Sequence, residues 1–171
     1  MNLTAPDIET ARLLLRQITN ADAAALFQIF GDEEAMRYWL TRDLTIAQTH
    51  ERIERMIQQW QAHGFGDWAV VDKKSRKMIG YCGLHFIKDM AEVNLGYLFA
   101  SDSWGKGYAT ETGKLAVRFG FEQAGLRQIV GVTRPANQAS IKVLEKCGLS
   151  FWKEIIWSGE PRVVYLAGEK P

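Results

Sequence analysis

The chain has little of what would hold a fold together covalently or through a metal. Only two of its 171 residues are cysteines, Cys82 and Cys147, far apart and in no Cys-x-x-Cys pair. That argues against a disulfide framework and suits a reducing compartment, with a buried free thiol as the default for each. A redox or nucleophilic role would require a neighbouring base or cation. The three histidines, His50, His63 and His85, form no metal-ligand spacing, so no zinc site is expected. Nor is there a Gly-x-Ser-x-Gly elbow to support a Ser-His-Asp relay. Charge of neither sign is in excess: 21 basic and 20 acidic residues leave +1. Such a field is too weak to make nucleic acid or an anionic membrane the main partner. No apolar run approaches the roughly 20 residues that cross a bilayer, and residues 1–7 lack the basic start and apolar core of a signal peptide. A cytoplasmic protein is expected, without internal repeat, low-complexity tract or linker.

What is present is an ordinary globular composition, 47% hydrophobic, enough for one core in one domain spanning residues 1–171. Leu13, Leu14 and Leu15 form a short apolar run that suits a first strand. Thr19 with Asp22 predicts a helix start, and Ala23, Leu26, Phe27 and Phe30 repeat at helix spacing up to Gly31. Thr45 with Gln48 opens a longer amphipathic helix, with Ile46, Ile53, Met56, Ile57 and Trp60 on one face and His63-Gly64 as its end. Between the two helices, AMRYWL at 35–40 carries aromatic residues whose default is burial.

Residues 67–72 and 78–87 are rich in Val, Ile, Trp, Tyr and Phe and flank the turn-like KKSR, which predicts a hairpin. Further strands are predicted at 92–99 and 128–133, with a helix between them. That order implies a right-handed crossover and a parallel pair. A helix follows Asn137, with Ile141, Leu144 and Cys147 on its apolar face and Gly148 as a left-handed cap. Residues 151–157 and 162–167 flank the turn signal SGEP and predict an antiparallel hairpin. The fold class expected is α+β.

The most informative stretch is 101–125, SDSWGKGYATETGKLAVRFGFEQAG, where a glycine-rich turn opens directly onto a helical pattern. The first backbone N–H groups of a helix have no partner within it, and the peptide dipoles place partial positive charge there. A phosphate satisfies both. Gly105 and Gly107 have no Cβ to hold a ligand off, and Lys106 adds charge. The spacing does not fit the nucleoside-triphosphate loop, because Tyr108-Ala109-Thr110 follows Gly107. It fits the dinucleotide fingerprint poorly, because the third glycine would stand where Thr110 does. Taken alone, the stretch is equally compatible with a flexible turn before an ordinary helix.

Four segments in order settle that choice: TARLLLRQITNADAAALFQIF at 10–30, LGYLF at 95–99, WGKGYATE at 104–111 and NQASIKVLEKCGL at 137–149. Together they resemble the GNAT superfamily of N-acetyltransferases, and more narrowly the RimJ/RimL type that acetylates ribosomal-protein N-termini. The resemblance implies a GNAT fold: a mixed, mostly antiparallel central sheet with a splayed parallel pair, flanked by about four helices. It also implies acetyl-CoA as co-substrate, with the pantetheine arm lying between the splayed strands like a missing strand. Cofactor contacts then fall to Trp104, Gly105, Lys106, Gly107, Tyr108, Ala109 and Thr110, to Asn137, and to a freed backbone N–H near Leu98 or Phe99 facing the oxyanion. Tyr38 and Trp39 become candidates for acceptor contacts.

Two departures concern proton transfer. The branch often carries a glutamate two residues before the Gly-Tyr of this strand, where this chain has Asn94. An amide can orient an amine or a water but accepts no proton. Glu92, two residues earlier on the same face, either acts through a water chain or is a solvent-facing charge. The tyrosine that many members use to protonate the leaving thiolate corresponds to Leu144. Ser140 either hydrogen-bonds the thiolate or is a first-turn residue without a catalytic part.

The expected reaction is direct attack by a primary amine in a ternary complex. The acceptor is a protein or peptide N-terminus; a polyamine, an aminoglycoside, or a non-catalytic CoA sensor are the alternatives. Either a monomer or a homodimer is compatible with the sequence.

Overall fold

The computed structural model describes residues 3–39, 45–87 and 89–169; Leu40, the last residue of the aromatic segment, lies outside them. Eight strands occur in chain order: β1 (Ile8–Glu9), β2 (Leu13–Gln17), β3 (Asp67–Asp72), β4 (Lys77–Phe86), β5 (Val93–Phe99), β6 (Gln128–Thr133), β7 (Ser150–Trp157) and β8 (Glu160–Gly168). They form one sheet in the order β1-β2-β3-β4-β5-β6-β8-β7. Every neighbouring pair is antiparallel except β5 with β6. Four helices complete the fold: α1 (Ala23–Gly31), α2 (Ile46–His63), α3 (Tyr108–Glu122) and α4 (Gln138–Lys146). This is the architecture the resemblance implied. No helix among the described residues is long and apolar enough to cross a membrane.

Local signals explain most element ends. At α2, Gln48 N–H donates to Thr45 Oγ1 at 3.2 Å and Thr45 N–H to Gln48 Oε1 at 3.0 Å, a reciprocal cap. The Thr19 signal acts differently. It opens a 3-10 turn at Asn20–Asp22, closed by Asp22 N–H on Thr19 O at 2.9 Å, and α1 follows only at Ala23. On α2 the inward face runs Thr49, Ile53, Met56 and Trp60, whereas Ile46 is 43% exposed. Thr49 lies one turn farther in and takes the inward place that the sequence assigned to Ile46.

Helices cover the two faces unequally. On one face, Leu26, Ile29 and Phe30 of α1 and Ile53 and Met56 of α2 pack on Ala69, Tyr81 and Leu98. On the other, Ala116, Val117 and Phe119 of α3 and Leu144 of α4 cover Val70, Cys82, Leu95 and Phe99. The burial expected of the aromatic residues in 35–40 is not met: Tyr38 is half-buried and Trp39 exposed, and it is Ala35 and Met36 that are buried.

Beside α1, Arg16 donates two hydrogen bonds, at 2.9 and 2.7 Å, to the buried carboxylate of Asp22, which also accepts from Thr19 N–H at 2.9 Å. Burial pushes the Asp22 pKa up, but the bonds from Arg16 and Thr19 outweigh it, and the carboxyl is held below its ordinary value. Asp22→Asn is therefore expected to cost about 1–3 kcal/mol, at roughly 2–4 °C of Tm per kcal/mol for a chain of this size. Because the folded pKa is the lower one, this stability is present above the unfolded value and lost as pH falls through the folded value. Calorimetry should show the Tm gap between wild type and variant narrowing once the pH drops below about 4.

Candidate active site

The site is organised by the place where β5 and β6 part. Their ladder consists of one pair, Asn94 with Val130, whereas β4 and β5 pair without a break from Gly80 with Phe99 to Phe86 with Val93. Ala100 N–H donates to Ile79 O at 3.0 Å, which fixes the alternation along β5. Residues 94, 96 and 98 turn their main-chain groups to β4, and residues 95, 97 and 99 turn theirs toward β6. The expectation of a freed donor at Leu98 is corrected accordingly: its N–H faces β4, and the amides facing the fork are those of Tyr97 and Phe99.

The agent of separation is a side chain. A continuing ladder would take Val132 N–H to the β5 main chain. Here Val132 N–H donates instead to Asn94 Oδ1 at 3.1 Å. Asn94 is 7% exposed, so this buried amide replaces a backbone acceptor and stops the ladder. Its other atom, Nδ2, faces His85 Nε2 at 3.4 Å, and His85 Nδ1 lies 3.0 Å from Asp67 Oδ1. Glu92 sits in the bend before β5, on the closed side of the fork.

At the open end, a short 3-10 turn at Ser101–Ser103 leads into the glycine segment. Gly105 and Gly107 have φ of 73° and 80°, the left-handed region where a Cβ is strained, and Gly107 is the N-cap of α3. Nothing lies within 4 Å of where a Cβ on Gly105 would stand, so the turn is open to a ligand. The amides of Tyr108, Ala109 and Thr110 then begin the helix with no partner four residues back.

The remaining side chains brace this turn. Trp104 Nε1 donates to Phe99 O at 3.0 Å and Lys106 Nζ to Asp102 O at 2.8 Å. Arg12, from β1–β2, donates to Lys106 O at 2.9 Å, pairs with Glu111 and lies over the Tyr108 ring, 4.7 Å from its centroid. Burial raises the Glu111 pKa, but hydrogen bonds from Thr10 and Arg12 bring it below the usual carboxylate range. Its charge is thus matched by Arg12, so it does not repel an anion at the helix start.

Across the fork, Asn137 Oδ1 caps α4 by accepting from Ser140 N–H at 3.1 Å. Ser140 Oγ lies 2.8 Å from the Tyr97 hydroxyl, which burial drives well above its ordinary pKa although the Ser140 bond opposes the shift. Tyr97 therefore stays protonated. Leu144, 1% exposed, fills a core position where Gly131 of β6 leaves room for it. Near the mouth, Tyr38 OH donates to Ala136 O at 3.4 Å, and Arg134 donates to Tyr38 O at 3.2 Å. Cys82 lies in the core, its thiol pushed far up by burial, and burial also raises Cys147, to about 11. Neither is a nucleophile at neutral pH. Among the described residues no cluster of three His, Cys, Asp or Glu could hold a metal ion.

Sequence reasoning located the turn and α4 but missed Tyr97, Asp67 and His85. Their signal is cross-strand register, which makes sense of the glycines at 83 and 96 as places of close approach.

Comparison with known proteins agrees with this geometry. The acetyltransferase (GNAT) domain family matches residues 12–150. YoaA of Bacillus subtilis, described as an uncharacterized N-acetyltransferase, is 32% identical over 151 residues, 87% of this chain and 84% of its own. The crystal structure of an acetyltransferase from Agrobacterium tumefaciens superposes with a TM-score of 0.85 at 24% identity, covering 99% of this chain and 98% of that one. Two neighbours were solved with coenzyme A. One is RimL, the ribosomal L7/L12 alpha-N-protein acetyltransferase (TM-score 0.77, 18% identity, 95% and 98% covered). The other is aminoglycoside acetyltransferase AAC(6')-Ib (TM-score 0.76, 19% identity, 91% and 94% covered).

If the glycine turn holds the pyrophosphate, Gly107→Val is expected to weaken CoA about 10- to 100-fold, from left-handed strain of about 1–3 kcal/mol. Pantetheine, which lacks the phosphates, should lose far less. Calorimetric titration of both ligands checks this, and equal losses would count against a pyrophosphate contact.

Proposed function

The chain belongs to the acetyltransferase (GNAT) domain family, and we propose that it acetylates the N-terminal amine of a protein or peptide, in the manner of the RimJ/RimL type. It is an N-acetyltransferase with acetyl-CoA as its co-substrate. The observation that carries the site is the single-pair junction of β5 and β6 beside the glycine turn.

In this reading the whole chain acts as one catalytic unit in the cytoplasm. The turn and the first amides of α3 hold the pyrophosphate, Asn137 Nδ2 faces the pantetheine arm, and the Tyr97 and Phe99 amides offer the hydrogen bonds that a thioester oxyanion requires. Ser140, backed by the Tyr97 hydroxyl, gives the leaving thiolate its proton. Trp39 and Tyr38 line the acceptor's approach. With both thiols protonated and buried, the amine attacks the thioester directly, with no acetyl-enzyme.

Charge supports an N-terminal acceptor over a polycation. Among the described residues, three carboxylates near this face are already engaged: Asp67 is hydrogen-bonded to His85, Asp32 to the amides of Glu34, Ala35 and Ser101, and Glu160 is ion-paired with Arg134 and Arg162. A polyamine or aminoglycoside needs several carboxylates to spare; a peptide needs a place for one amine. Its reference pKa, about 8 against about 10.4 for lysine, also makes deprotonation easier.

Thiol release from acetyl-CoA, measured with peptides beginning in Ser, Ala, Thr or Met, with spermidine and with kanamycin, tests the reading. Release is expected with at least one peptide and not with its N-acetylated form, with intersecting rather than parallel double-reciprocal lines. Release with spermidine or kanamycin alone overturns the N-terminal acceptor. Tight CoA binding without release for any amine favours a sensor. A stable acetyl group on Cys82 or Cys147 that passes to an amine overturns direct attack.

A further inference from the structure

We propose that His85 is the base that takes the proton from the acceptor amine, with Asp67 and Asn94 as the residues that position it; this rests on the acetyl-transfer reading above. Four side chains or main-chain groups from four adjacent strands form one chain of contacts: Asp67 on β3, His85 on β4, Asn94 on β5 and Val132 N–H on β6. All three side chains lie on the α1/α2 face, since they share parity with Ala69, Tyr81 and Leu98 in the paired register. The face opens where it must. Gly83 and Gly96 are paired neighbours, and a Cβ on Gly96 would come 2.2 Å from His85 Cε1, while one on Gly83 would come 2.8 Å from Asp67 Oδ1. The imidazole therefore lies directly over Gly96, next to Tyr97, whose amide faces the fork.

The chain of bonds also fixes the proton. Val132 N–H can only donate, so it selects the oxygen of Asn94 and leaves the NH2 toward His85. Asp67 accepts at Nδ1, which places the imidazole hydrogen there and a lone pair on Nε2. At 3.4 Å the Asn94 N–H donates only weakly to that lone pair, beyond the ordinary 2.7–3.2 Å, so the bond orients Nε2 and gives way when the acceptor amine binds. The side chain of His85 is 22% exposed, enough for an amine to reach it. Neither Asn94, an amide, nor Glu92, on the closed side of the fork, offers this combination.

The step balances without another reactant. His85 Nε2 takes H⁺ from R–NH3⁺, giving R–NH2 and an imidazolium held by Asp67. The amine nitrogen forms a bond to the acetyl carbon, and the carbon–sulfur bond breaks. The thiolate gains a proton by way of Ser140 from the nitrogen of the new amide, and His85 returns its own proton to water. The sum is R–NH3⁺ and acetyl-CoA to R–NH–acetyl, CoA-SH and H⁺.

Among the described residues, the charged groups that act on His85 are Asp67 from β3 and Arg52 from α2. Burial lowers the imidazole pKa and Arg52 adds to that, but the Asp67 charge and hydrogen bond outweigh both and set it above its ordinary value. A base works when unprotonated, so kcat/KM should climb as pH rises through a midpoint above about 6.5. Removing the Asp67 charge should move that midpoint down.

The test uses the full chain and whichever amine of the panel above reacts fastest. His85→Gln is expected to lower kcat/KM about 100-fold at pH 7 and to replace this limb by the rise of the free amine itself, near its reference pKa of about 8, with CoA affinity by calorimetry unchanged. Asp67→Asn should shift the limb to lower pH. If His85→Gln keeps both the rate and the limb, the proposal is overturned and the transferase reading stands. If wild type releases no thiol with any amine, both fall. Nitrogen-15 spectra of the wild-type imidazole give a readout independent of folding defects in the variants: the Nδ1–H tautomer is expected, and Nε2–H overturns the assignment.

Discussion

The structure depends on one hydrogen bond that is made by a side chain where a backbone would be expected. Val132 N–H goes to Asn94 Oδ1, so β5 and β6 stop pairing after a single register position. A strand amide N–H turned into a sheet is costly to leave without an acceptor, and here the acceptor comes from a side chain in place of the β5 main chain. The fork is thus built into the sheet by local chemistry and is not a gap that packing failed to fill. Everything assigned to the site is arranged around it: the glycine turn at its open end, the Tyr97 and Ser140 hydroxyls on one face, and Asp67 with His85 on the other.

This recasts the departure at residue 94. A carboxylate there could accept from Val132 but could offer no N–H to a neighbour. An amide does both, holding the fork open with its oxygen and turning an imidazole with its nitrogen. A residue that looks like a lost base in the sequence becomes the link between sheet geometry and an imidazole one strand away. Leu144 shows the opposite outcome. It fits into the space left by Gly131 in the core, so its place is explained by packing, and the nearest hydroxyls are those of Ser140 and Tyr97.

Much of the fold was legible because its signals are local. Thr45 with Gln48 marks a helix start by two reciprocal bonds, and the strands around α3 follow from alternation and from the length of the crossover. Thr19 predicts the start of α1, but an i to i+3 bond tightens the first turn into a 3-10 helix. The glycine turn was legible for the same local reason, since it needs left-handed backbone at 105 and 107. The rest depends on strand register. Which β5 amides face the fork, and that Asp67 and His85 meet across 18 residues of sequence, follow from pairings between strands that no spacing along the chain reveals. Only the glycines at 83 and 96 hinted that something large lay over them.

The strand order has a mechanical consequence. Within the sheet, strands β6, β8 and β7 form a three-stranded unit that meets the five-stranded remainder at one backbone pair and one asparagine, the other links being side chains and packed helices. Two plates joined along so short a seam can change their dihedral angle without tearing a ladder. The breadth of the cleft is then governed by the helices α3 and α4 wedged behind it, through contacts as small as a cysteine sulfur set against a helical glycine. In such a hinge, a methyl group added to the helix interface acts as a shim, altering the gape on the far side of the sheet.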